Sequence, residues 1–191
     1  QFPHGNMEKG KMVLHATRPA TTPSATSQQE LRWIAPRPGW MKLNTDGSYV
    51  PSTGAAGGGM VLRDEGGEIV FSACREVRTC KNSLEAELLA CRGGLDLAVH
   101  RTNLPILVEL DSVEAVRMLT THVADRSQHR TLVEEIRSLA TSAKREILFS
   151  HCRRSQNKVS HELAVYGRST PRTTVWLYSG MNFIINLCAA E

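Results

Sequence analysis

Three short apolar segments, Trp40 to Asp46, Gly57 to Arg63 and Glu68 to Glu76, follow one another with turn residues between them, which commits the first half of the chain to a sheet. The string DEGG at 64 to 67 marks a hairpin between the last two, so the three read as an antiparallel meander. Gly57, Gly58 and Gly59 lower strand propensity in the middle segment and let another backbone approach closely. From Ser83 to His100 the period changes: Leu84, Leu88, Cys91 and Leu95 recur at helical spacing behind the candidate N-caps Asn82 and Ser83. Pro105 introduces Ile106 to Leu110, whose length and β-branched content fit a buried strand. Helical patterns at Ser112 to His122 and Thr131 to Ala143, a strand at Glu146 to Cys152, and a short helix at Asn157 to Tyr166 capped by Ser155 or Asn157 complete the pattern. The order β-β-β-α-β-α-α-β-α is that of a mixed α/β domain, with helices covering a sheet that is part meander and part parallel.

One such core suits the length of the chain, and with aromatic residues at only 5% aliphatic side chains must fill it. Residues 1–32, rich in Pro, Thr and Ser from Arg18 to Gln29, are expected to be a flexible leader. Residues 33–170 are expected to form the domain, and 171–191, with the apolar stretch Thr174 to Leu187, a docked tail. The chain begins at Gln1, as a fragment or the tail of a longer reading frame would. Five scattered cysteines with no CxxC pair argue against a disulfide framework or a zinc site and for reduced thiols in an intracellular setting, nuclear or cytoplasmic. With no run of about 18 apolar residues and no secretory leader, neither membrane spanning nor secretion is expected. A formal charge of +4 is compatible with a phosphate-bearing partner without requiring one.

Two acids stand at the ends of apolar strands. Asp46 lies in the string NTDGS, where Gly47 is read as a sharp turn that leaves the carboxylate exposed, and Asp111 closes the ILVEL strand ahead of Ser112, a helix cap. If those strands are parallel neighbours, their carboxylates converge on the sheet edge where open α/β sheets place ligands. Converged carboxylates repel one another, and a divalent cation with a taste for hard oxygen ligands, Mg²⁺ or Mn²⁺, resolves the conflict. Either aspartate alone is as well explained as a turn or capping residue.

Four strings in order, NTDGS at 44 to 48, SLEAELLACRGGL at 83 to 95, ELDS at 109 to 112 and NKVSHELA at 157 to 164, resemble type 1 ribonuclease H. They are most similar to the plant ribonuclease H-like domains related to the tail of non-LTR retrotransposon reverse transcriptases, and the likeness spans roughly Trp40 to Gly167. The resemblance implies an α/β fold with a five-stranded mixed sheet, an antiparallel meander plus parallel strands flanked by helices. It also implies hydrolysis of the RNA strand of RNA·DNA hybrids by a monomer holding two Mg²⁺ or Mn²⁺ ions. Residue by residue, Asp46, Glu87 and Asp111 match the metal-binding acids of the family. Helical angle alone does not separate Glu87 from Glu85, since the two flank the leucine stripe on opposite sides. The motif match selects Glu87 and leaves Glu85 a solvated surface acid.

The fourth place departs from the pattern: where bacterial-type enzymes carry an aspartate ahead of the E-L-A string, this chain has His161, as plant relatives commonly do. A neutral imidazole ligates metals but brings no negative charge, which predicts activity that is reduced, shifted towards Mn²⁺, or absent. His151 lies ten positions earlier, at the spacing of the family's mobile histidine, and is read either as a proton shuttle at the site mouth or as a strand-end residue with no chemical role. Contacts to a hybrid, through phosphates and 2′-hydroxyls, are expected from Asn44 and Ser48 beside Asp46, from Asn82, and from the loop carrying Arg153, Arg154 and Asn157. The region 125–135, where relatives can carry a basic protrusion, mixes both signs of charge. The competing reading is a retroelement-derived domain that binds nucleic acid without cutting it.

Overall fold

The three apolar segments pair as the meander that their turn residues predict: β1 (Met41–Tyr49), β2 (Ala56–Arg63) and β3 (Ile69–Val77) are antiparallel neighbours. They belong to a computed structural model that describes residues 32–121 and 127–190. Helix α1 (Ser83–Val99) follows, then β4 (Ile106–Leu110), α2 (Val113–Thr120), α3 (Arg130–Ser142) and β5 (Ile147–His151). After a single 3₁₀ turn at Arg154–Gln156 come α4 (Lys158–Arg168), β6 (Thr174–Leu177) and α5 (Asn182–Ala190). The sheet runs β5-β4-β1-β2-β3-β6, with β1, β4 and β5 parallel and the remaining pairs antiparallel.

Among the described residues the sheet therefore has six strands where five are expected. The apolar C-terminal stretch supplies the sixth: Thr174 to Leu177 pair with Phe71 to Cys74, covering an edge of β3 that would otherwise expose its ladder groups. Behind it α5 places Ile184 in a small cluster with Val61, Cys74, Val159 and Leu163. The leader expected over 1–32 lies outside the described residues except for Arg32, as do His122 and Asp125. No helix among the described residues is long and apolar enough to cross a membrane, and all five cysteines are free.

Helices cover both faces, and the glycines of β2 explain how closely. Gly58 faces α1, where a Cβ would meet the Ala90 side chain, whereas Gly57 and Gly59 face α4, whose backbone lies directly against them. The larger core, on the α1 side, gathers Leu43, Met60, Leu88, Leu95, Val108, Leu110 and Ile136 from strands and helices that are far apart in sequence.

On the α4 side, a polar network lies beneath the chain that leads into β1. The Lys42 ammonium donates to Glu109 Oε1 at 2.7 Å and to the Ile34 carbonyl at 2.6 Å. Asn44 donates to Glu109 Oε2 and accepts from Trp33 Nε1 and from Arg63, whose guanidinium stacks 3.9 Å above the Trp33 ring. Buried charges persist only when paired and hydrogen-bonded in this way. Because Asn44 is opposite Glu109 in the β1–β4 register, the network ties together the two strands that carry Asp46 and Asp111.

Candidate active site

Asp46 and Asp111 meet because β1 and β4 are parallel neighbours. Thr45 is opposite Leu110, so the next residue of each chain is an aspartate at the same edge of the sheet. The third acid arrives from the opposite face. Asn82 caps α1 by accepting the Glu85 N–H at 2.9 Å, and Glu85 reaches back to the Lys81 N–H at 2.6 Å. The cap fixes the start of the helix, and two residues beyond Glu85 the Glu87 side chain faces β1, where its Oε2 accepts the Gly47 N–H at 3.1 Å. Glu85 is thus a capping residue, half-buried rather than a solvated surface acid. Ser112 caps α2 as its position predicts, accepting the Ala115 N–H.

Gly47 is not the turn that the string NTDGS suggests. β1 continues through it to Tyr49, and a Cβ there would sit 2.2 Å from the Glu87 backbone nitrogen. The glycine is needed for the close approach of α1 to the strand.

One oxygen each of Asp46, Glu87 and Asp111 lie within 4.8 Å of one another. Asp46 is 3% exposed and Glu87 9%. Burial, then repulsion from Asp111, pushes Asp46 up to about 6 against the lowering hydrogen bond from His161. Burial, then Asp46 and Asp111, pushes Glu87 up to about 9. Three hard oxygen donors, two of them pushed towards the neutral form by burial and mutual repulsion, are a donor set that fits Mg²⁺ or Mn²⁺. The acids open into a cavity of about 770 Å³ that Ser48, Arg154 and His161 also line.

The other expected site residues divide into those at the cavity and those away from it. His161 is at its wall, with Nδ1 3.0 Å from Asp46 Oδ2 and Nε2 3.4 Å from the Arg154 guanidinium. Ser48 lines the cavity. Asn82 is engaged as the helix cap. His151 is exposed at the end of β5, opposite Leu110 in register, and does not line the cavity.

Asn44 and Asn157, expected at a nucleic-acid surface, are instead interior. Asn44 is 0% exposed in the Lys42–Glu109 network. Asn157 is 1% exposed and does not cap α4 with its side chain. Its Nδ2 donates to the Thr45 carbonyl at 3.0 Å, and its Oδ1 accepts the Ser160 hydroxyl at 2.5 Å. The asparagine thereby pins α4 to β1 one residue before Asp46 and one turn before His161. Arg168 also reaches the cavity wall, and its position seven residues beyond His161, two turns along the same helix face, was a usable signal in the sequence.

Residues 44–167 match the reverse transcriptase-like family. A protein of Arabidopsis thaliana assigned by name to ribonuclease H is 29% identical over 116 residues, which are 61% of this chain and 18% of the Arabidopsis protein. The chain thus spans about a fifth of the length of that relative. Among solved structures, ribonuclease H1 of the archaeon Halobacterium salinarum superposes with a TM-score of 0.62 at 23% identity, over 69% of this chain and 98% of that one. A ribonuclease H1 in complex with an RNA/DNA hybrid superposes with a TM-score of 0.55 at 20% identity, over 68% and 96% of the two chains. These structures share the fold. The matched span runs from inside β1 through the glutamate helix to the end of the His161 helix, and the chain belongs to the reverse transcriptase-like family.

Proposed function

We propose that this chain is a metal-dependent endonuclease that hydrolyses the RNA strand of RNA·DNA hybrids. The observation that carries the proposal is the convergence of Asp46, Glu87 and Asp111, from two strands and a helix, on one point of an open cavity. The three carboxylates would hold the divalent ions. A pair of such ions supplies Lewis-acid polarisation of the phosphodiester and a bound water of lowered pKa. The chain's own part is to orient: Gly47 holds Glu87 through its N–H, Asn157 fixes the strand that carries Asp46, and His161 holds the outer oxygen of Asp46. Arg154 brings a cation to the wall, where it can meet a phosphate oxygen. The test is incubation of the full chain with a labelled RNA·DNA hybrid in Mg²⁺ or Mn²⁺. Cleavage of the RNA strand that stops in EDTA is the expected result, and an intact hybrid in both metals overturns the proposal.

One observation favours a weakened form of the same site: the fourth ligand position holds an imidazole, and that imidazole is turned to Asp46 rather than placed among the clustered oxygens. His161→Asp is expected to raise cleavage at limiting Mg²⁺ by about 10- to 100-fold, the range typical of groups that tune a metal site. An unchanged metal requirement in the variant shows that His161 does not limit the site.

A further inference from the structure

Three arginines gather at the same edge of the sheet as the acids, two strands away. β1 ends with Tyr49 opposite Ala56 at the start of β2, and Ala56 is opposite Val77 at the end of β3, so Arg78 and Thr79 leave the sheet at the edge where Asp46 lies. Thr174, the first residue of β6, pairs with Cys74, which brings the Arg172 segment to that edge as well. Between these segments is a pocket of about 420 Å³ lined by Arg75, Glu76, Arg78, Thr79, Arg172 and Thr173. Helix α1 separates it from the acid cavity: Ser83, Leu84 and Glu87 line one, and Leu89 lines the other.

The pocket suits an anion. Three arginines against one glutamate leave an excess of two positive charges. The single acid, Glu76, is 3.4 Å from Arg78, whose side chain is 81% exposed, and a pair so open to water neutralises little. The buried Nε of Arg75 has no hydrogen-bond partner among the described residues, although its side chain is held against α1 at Gly93. Guanidinium forks with neighbouring hydroxyls, here those of Thr79 and Thr173, match the geometry of phosphate oxygens. With strands about 4.8 Å apart, β3 lies about 10 Å from β1. A nucleic-acid strand carries a phosphate every ~3.4 Å of helix axis, so a duplex seated on the acids presents further phosphates at that distance.

We infer that this pocket is a second phosphate-binding subsite, which holds the backbone of a nucleic acid whose scissile segment lies at the carboxylates. The inference rests on the nuclease reading of the acid cavity. It supplies the electropositive contact that region 125–135 does not: there Arg130 is paired with Glu134.

The test is hybrid binding by the full chain in EDTA, followed by fluorescence anisotropy from about 50 to 200 mM KCl with a duplex of about two helical turns. The double variant R78A/R172A changes two exposed residues, and R75Q is measured separately with its melting temperature as a control for folding. The double variant is expected to bind about 5- to 30-fold more weakly and to reduce the slope of log affinity against log salt by about 0.7–0.9 for each phosphate that is no longer neutralised. Affinity and slope equal to wild type overturn the inference, as does a wild type that does not bind the hybrid at low salt. Thermal stabilisation by inorganic phosphate that depends on these arginines, with hybrid affinity unchanged, also overturns it, because the pocket then holds a free anion and not a backbone. Cleavage is assayed in parallel. A reduced slope in a chain that never cuts leaves the subsite standing and removes the nuclease reading, while cutting with an unchanged slope does the reverse.

Discussion

Glu87→Gln is expected to make the metal-free protein more stable than wild type at neutral pH while lowering cleavage by more than about 100-fold. Glu87 is pushed up to about 9 in the fold, from an ordinary value of 4.5, first by burial and then by Asp46 and Asp111. Between those two values the native chain binds a proton that the unfolded chain has released, so stability falls as pH rises from 4.5 through 9. Glutamine is neutral at every pH, removes that fall, and can still accept the Gly47 N–H that Glu87 accepts at 3.1 Å. In EDTA at pH 7.5 the variant is expected to be more stable by about 1–3 kcal/mol, roughly 3–10 °C in melting temperature, and the advantage should vanish near pH 4.5. Millimolar Mn²⁺ reverses the order. A ligand at about 100 times its Kd adds about 2.7 kcal/mol to the protein that binds it, and the variant offers only two of the three acids. Thermal melts of both proteins, with EDTA and with Mn²⁺ at two pH values, check each part. A variant that is less stable than wild type in EDTA at pH 7.5 shows that Glu87 is ionised in the native state and that the cluster is not built around a missing counter-charge.

Much of the site was legible in the sequence because its geometry is local to strand ends. Asp46 and Asp111 could be placed on one edge once their strands were taken as parallel neighbours, and the periodicity of Leu84, Leu88 and Leu95 put Glu87 on a helix that could reach them. What the pattern could not reveal is which polar residues turn inwards. Asn44 and Asp46 are two residues apart on the same strand and so share a face, yet one is buried in an ion network and the other opens to a cavity. The difference is made by Trp33, on the segment that leads into β1, and by Glu109, 65 residues further along the chain, which together cover Asn44. Asn157 is hidden for the same reason, since its acceptor is the Thr45 carbonyl, 112 residues away. The sixth strand is hidden because Thr174 to Leu187 is short and mostly apolar without a clear period, a pattern that does not tell strand from helix and contains one of each. The role of Gly47 is not legible in the string NTDGS because glycine serves both turns and close packing, and only the partner, here the Glu87 backbone, decides which.

The glycines of β2 give the largest expected loss of stability. In the interior of a strand, alanine for glycine ordinarily favours folding by reducing the freedom of the unfolded chain. At Gly58 the opposition is small: an added Cβ meets the Ala90 Cβ and the Met60 Cε at 3.2 Å and the Ala90 Cα at 3.3 Å, so the methionine can swing aside and α1 need give only a few tenths of an ångström. At Gly59 the neighbours are backbone. The Cβ would lie 2.0 Å from the Ser160 carbonyl oxygen and 2.4 Å from the Ala164 nitrogen, so α4 as a whole must move outwards by more than about 1 Å to restore ordinary contact, well beyond what a close-packed interface absorbs. That helix carries Val159 and Leu163 into the core and holds Asn157 against Thr45 and His161 against Asp46. Gly59→Ala is therefore expected to cost more than about 3 kcal/mol, or about 6–12 °C in melting temperature, while Gly58→Ala stays within about 1 kcal/mol of wild type. Urea melts of the two variants side by side measure the difference. Equal midpoints refute the claim that α4 rests on β2 backbone to backbone. If instead Gly59→Ala folds with a low midpoint, the His161–Asp46 hydrogen bond should be the first feature to go, because it joins the shifted helix to the strand that did not move.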